Sequence, residues 1–205
     1  MKKIGFLILI LAIPMLIVSQ NSTDANFKKL KFGLGLGYVH PNLVLKDKAS
    51  EAYVVNNNSG FTVYMLGEYS VNKFLYISPK AGFAFGQSTL TNTISGVNIE
   101  YEFMRLSLDY LLDFVFKKWD SKLEPYLVTG LQYKTPVSDK NDIEEFMSSK
   151  NSFGISLGFG INKSFGKFIM NPEIRYSYGI TDLKNSNQFP SLYYHSLSVL
   201  VNIKG

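Results

Sequence analysis

The chain has 205 residues, suited to one domain, with 46% hydrophobic and 15% aromatic content, no cysteine and a formal net charge of +5. The lack of cysteine excludes disulfides, thiolate metal sites, a cysteine nucleophile and lipoprotein processing. Without Lys2 and Lys3 the charge falls from +5 to +3, too little for a nucleic-acid reading, and no basic helix or interleaved basic patch supports one.

Residues 1–19 read as a signal peptide: Lys2 and Lys3 are the basic start, Ile4 to Val18 the apolar run, and Ser19 the small residue before the cut. Ile17 is a poor match to the small residue preferred two positions earlier, and the rival reading is an uncleaved anchor, for which the apolar run is short. Residues 20–30 form a short N-terminal segment, and 31–205 one barrel domain. No second apolar stretch is long enough to span a bilayer, so a membrane domain here has to be built from strands.

Eight strands are predicted in chain order. The first covers Lys31 to Pro41 and is followed by a loop from Lys46 to Gly60 that carries Asn56, Asn57, Asn58 and Ser59. The second, Phe61 to Val71, turns tightly at Val71-Asn72-Lys73 into the third, Phe74 to Gln87. A polar loop from Ser88 to Val97 precedes the fourth, Asn98 to Phe116, and Lys117 to Glu124 makes the next turn. The fifth is Pro125 to Thr135, and the longest loop, Pro136 to Asn151, follows it. The sixth is Ser152 to Asn162, the turn Lys163 to Lys167, the seventh Phe168 to Ile180, the loop Thr181 to Pro190 and the eighth Ser191 to Ile203. Long loops alternate with short turns over an even number of strands, the order of an up-and-down barrel in an outer membrane.

The alternation within each strand assigns faces. Phe153, Ile155, Leu157, Phe159 and Ile161 share one face of the sixth strand, with glycine or serine between them. Ile174, Tyr176 and Tyr178 similarly oppose Glu173, Arg175 and Ser177. A soluble sandwich or lipocalin-like barrel also alternates, with its large apolar face inward. Lipid outside is favoured because glycine and serine crowd the face opposite the apolar one, and because Lys and Asp collect in turns. It is also favoured by aromatics near strand ends, such as Tyr69, Phe74, Trp119, Tyr126, Phe165 and Phe168 on the short-turn side. The inward face then carries a charge network of Glu68, Lys80, Arg105, Asp109, Asp113, Lys134, Glu173 and Arg175. Unpaired burial of such groups would cost several kcal/mol each, so a packed polar plug is expected, with a gated conduit or buried ligand site as the alternative.

With this layout the chain resembles the PorT-like outer-membrane β-barrel family. The resemblance rests on Lys31-Phe-Gly-Leu-Gly-Leu-Gly37, Gly67-Glu-Tyr-Ser70, Glu124-Pro-Tyr-Leu-Val-Thr-Gly130 and Arg175-Tyr-Ser-Tyr-Gly-Ile-Thr-Asp182. It implies an eight-stranded barrel in the outer membrane, in a family whose best-known member serves a protein-secretion machinery. Many such barrels end in an aromatic residue, whereas this chain ends Asn202-Ile203-Lys204-Gly205.

No catalytic constellation, cofactor site or metal site is read. His195 and Ser196 are adjacent and so face opposite ways in a strand, which argues against a hydrolase pair, and His40 reads as a rim residue. Asp139, Asp142, Glu144 and Glu145 lack the glycine and ligand order of a calcium loop. The expected function is a noncatalytic barrel of the cell envelope, structural or accessory, with a link to secretion. A narrow channel or small-solute transporter is the alternative, and a lipid-modifying enzyme a third. Expected partners are outer-membrane lipid, the barrel-insertion machinery and envelope or secretion-complex proteins, with no nucleic acid.

Overall fold

A computed structural model describes residues 30–46, 53–72, 74–94, 97–117, 123–137, 150–183 and 191–205. The leader, Lys73, Trp119 and the acidic loop with Asp139, Asp142, Glu144 and Glu145 lie outside them. Nine strand segments run in chain order: β1 (Leu30–Lys46), β2 (Tyr53–Ser70), β3 (Leu75–Ile94), β4 (Val97–Phe103), β5 (Leu106–Lys117), β6 (Leu123–Pro136), β7 (Ser152–Phe165), β8 (Phe168–Gly179) and β9 (Ser191–Lys204). All pairings are antiparallel, in the order β2-β1-β9-β8-β7-β6-β5-β3-β4, and β2 pairs β3 to close the ring. Since β4 and β5 follow one another along β3, the wall is an eight-stranded antiparallel barrel.

The short connections follow from local chemistry. Asn72 Oδ1 accepts hydrogen bonds from the amides of Phe74 and Leu75 at 2.8 and 2.9 Å, closing the β2–β3 turn. Between β7 and β8, Phe165 pairs with Phe168 across Gly166-Lys167, and Gly166 takes φ 59, the positive value that tight hairpins need at a central position. Pro79 brings no amide to β3, and the β2–β3 ladder is interrupted between Leu66↔Lys80 and Tyr69↔Ile77 with its register unchanged. Ser78 Oγ donates to the Gly67 carbonyl there at 2.8 Å.

Alternation turns Phe32, Leu34, Leu36, Met65, Ile155, Leu157, Phe159, Ile174 and Val199 outward, with Leu157 65% exposed. This greasy exterior matches a lipid-facing wall and is the reverse of a soluble barrel. The turn-side aromatics Tyr69, Phe74, Phe165 and Phe168 are also exposed. Tyr126 departs from that expectation: it shares the inward parity of Val128 and is buried.

Several boundaries differ from the sequence reading, β1 for example running on to Lys46 and β7 to Phe165, and three differences matter most. The asparagine run Asn56-Asn57-Asn58 is strand, not loop, because it pairs with Thr89, Ser88 and Gln87. A register shift between Asn58 and Phe61 changes which parity faces inward, so Tyr53 and Val55 pack on a core that alternation from below would turn them away from. The predicted loop after Gln87 is also strand, since β3 continues to Ile94 and β4 folds back on it. The predicted fourth strand is interrupted at Met104, whose φ is 52.

Candidate functional site: the filled lumen

Inward side chains from every strand of the wall converge on the lumen, where their charges sort into three groups. Nearest the short turns, Glu68 of β2 lies between Lys117 of β5 at 2.6 Å and Lys204 of β9 at 2.5 Å. The Lys117 ammonium also sits 3.8 Å from the centre of the Tyr76 ring, a cation–π position.

The central group is built around Arg175 of β8. Its guanidinium holds Asp113 in a two-point fork, Nη1 to Oδ1 at 2.8 Å and Nη2 to Oδ2 at 2.6 Å. Its Nε donates to Glu173 Oε1 at 2.9 Å, and Lys80 lies 3.2 Å from Asp113 and 3.8 Å from Glu173. The Tyr126 hydroxyl completes the Glu173 carboxylate at 2.9 Å. Two acids face two bases here, so the group is neutral as a unit.

The third group centres on Asp109, which is fully buried and paired with Lys134. Ser107 donates to its Oδ1 at 2.8 Å, while Tyr64 and Gln132 donate to Oδ2 at 3.2 and 3.3 Å. Beyond it, at the long-loop end, the lumen turns apolar: Leu43, Leu90, Phe103, Met104, Leu183, Leu192 and Tyr194 form one buried cluster. Lys134 lies 5.4 Å from the centre of the Tyr194 ring and so joins the two regions.

Seven of the eight residues read as the inward charge network are buried there: Glu68, Lys80, Asp109, Asp113, Lys134, Glu173 and Arg175. Arg105 is a correction. Its side chain is 55% exposed and pairs with Glu102 at 3.6 Å, outside the lumen. The cause is its neighbour: the left-handed backbone at Met104 lets Phe103 and Met104 bury consecutively and swings Arg105 out.

Residues that the sequence reading did not assign to the network are Lys117, Lys204 and Tyr126. Lys117 has the parity of Asp109 and Asp113, and Lys204 that of Asn202, so extending those two strands by one residue would have found both. His195 packs against Tyr178 at 4.4 Å between ring centres, and its Nδ1 accepts the Gly179 amide at 3.1 Å. His40 Nδ1 lies 2.9 Å from Ser59 Oγ at the exposed rim.

A family model described as "Outer membrane protein beta-barrel domain" matches residues 8–204. The chain belongs to this family of outer membrane protein β-barrel domains. This barrel is accordingly an outer-membrane protein, and its exposed apolar band faces lipid. Among solved structures it is similar to Neisserial surface protein A (NspA), at 13% identity and a TM-score of 0.52, covering 84% of this chain and 95% of that one. It is also similar to the outer membrane protein AlkL, solved in DMPC bilayers, at 13% identity and a TM-score of 0.52, covering 90% of this chain and 92% of that one. At these identities the likeness is one of fold. No curated protein sequence matches the barrel.

Proposed function

We propose that this protein is a noncatalytic, plugged outer-membrane barrel with a structural or accessory role in the cell envelope, linked to protein secretion as its PorT-like resemblance implies. The observation that carries this reading is the filled lumen. Glu68, Asp109, Asp113 and Glu173 each contact at least one ammonium or guanidinium, and a packed apolar cluster lies between them and the long loops. An eight-stranded wall leaves little room beyond such side chains. On this reading residues 1–19 are the export signal and are removed, the insertion machinery assembles the strands, and the outer end is offered to envelope proteins.

Reconstitution in planar bilayers tests the plug: the expected record is a flat baseline. Steady single-channel currents would overturn it in favour of a narrow channel. Mild-detergent pull-down from outer membranes with mass spectrometry tests the secretion link, which fails if the barrel alone is recovered. An altered lipid A profile in a deletion strain would restore the enzyme reading.

A further inference from the structure

The wall does not end level at its outer rim. β1 pairs β2 only up to Val39↔Gly60, although both strands continue beyond that point. On the other flank β6 stops at Pro136, opposite Ser107, with the Val137 amide bonding the Leu106 carbonyl. Above these levels the upper parts of β2 and β3 continue with β4 as a three-stranded sheet. Its inner face is anchored: Leu90 and Phe103 belong to the buried cluster, and Tyr53, Val55 and Tyr101 pack against it.

Among the described residues β4 pairs with β3 alone, so it is the terminal strand of the sheet order. Such an edge presents a row of backbone donors and acceptors to any extended chain that lies beside it. Its side chains set the requirement on that chain. Glu100 projects outward and is exposed, with Glu102 on the same face beside Arg105, while Ile99 and Tyr101 are half-buried on the inner face. An added strand would place alternate residues on the outer face next to Glu100 and the others on the inner face next to Ile99.

We propose that β4 is a docking edge for an extended segment of a partner protein in which Lys or Arg alternates with apolar residues. The segment adds as a fourth strand of the outer sheet, its bases beside Glu100 and its apolar residues beside Ile99. This names a partner class for the accessory role proposed above and rests on that role. The two fail separately, because pull-down and bilayer conductance read the accessory role and the lumen, whereas amide exchange reads the edge of β4.

The test uses the full-length barrel in nanodiscs and a seven-residue peptide of alternating lysine and valine, matched to the seven residues of β4. Amide hydrogen exchange is followed with and without the peptide, and a peptide with glutamate in place of lysine is the control. The expected result is fast exchange at the outer edge of β4 in the free protein, slowed about tenfold or more by the lysine peptide, an effect worth ~1.4 kcal/mol. Glu100→Lys, an exposed substitution that leaves the buried anchors intact, should remove the slowing. No slowing, or equal slowing by the glutamate peptide or in Glu100→Lys, overturns the proposal. So does protection already present in the free protein, which would mean the chain covers its own edge. Protection that grows with protein concentration also overturns it and assigns the edge to a second copy.

Discussion

The ring of Tyr126 lies where a side chain on Gly160 would be: a Cβ built there would collide with the Tyr126 ring carbon Cζ and its hydroxyl oxygen. The two residues are register partners on β6 and β7, so the empty position on one strand admits the aromatic one on the other. From this place the Tyr126 hydroxyl reaches Glu173. Gly160→Val should therefore displace the phenol and uncover the carboxylate, at a cost of ~1–3 kcal/mol. Urea unfolding in lipid vesicles would show it, and Tyr126→Phe should lose less because it leaves the ring in place. A Gly160→Val barrel as stable as the parent would contradict this packing.

Arg175 holds two acids at once. Arg175→Met leaves Asp113 and Glu173 sharing Lys80, and the expected loss is ~3–5 kcal/mol, typical of a buried pair broken on one side. Adding Asp113→Leu removes the stranded charge, so the double variant should be more stable than the single one. If the double variant is the less stable of the two, the charge-pairing account of the lumen fails.

A charge should cost stability where a side chain meets lipid and matter little at the exposed position of Arg105. Leu157 points into lipid, so Leu157→Arg is expected to destabilise the barrel by ~2–4 kcal/mol if it sits near the bilayer midplane. Arg105→Ala, at an exposed position outside the lumen, should change stability by no more than ~0.5 kcal/mol. Equal losses at the two sites would contradict either the lipid contact of Leu157 or the exposed placement of Arg105.

Met104 and Arg105 form a further pair for mutation. Met104→Ala removes a side chain from the apolar cluster, with an expected cost of ~2–5 kcal/mol. Trypsin accessibility at Arg105 should rise in that variant, since the buried methionine fixes the turn that precedes it. Unchanged cleavage alongside lost stability would separate the cluster from the turn.

Alternation reveals the wall and most of the lumen because both depend on the same two-residue period. Glu173 and Arg175 are legible because nothing interrupts β8 around them. Arg105 is misread because one left-handed residue before it breaks the phase, and no residue type there announces that conformation: methionine is not a typical choice for positive φ. The Asn56-Asn57-Asn58 run reads as loop by composition, yet pairing with β3 and the apolar cluster behind it overrides the weak local preference. Tyr126 reads as an interface aromatic by its nearness to a strand end, and only its parity with Val128 points the other way.

Glu68 and Lys204 stand 136 positions apart in the chain yet meet inside the lumen. The acid arrives on the second strand and its base on the last one. Until β9 closes against β1, that carboxylate lacks one of its two ammonium partners, whatever the rest of the sheet has achieved. A half-inserted or truncated wall is thereby marked by an exposed, under-neutralised acid near its turn-side mouth. The same contact that stabilises the finished molecule thus distinguishes a completed barrel from an unfinished one.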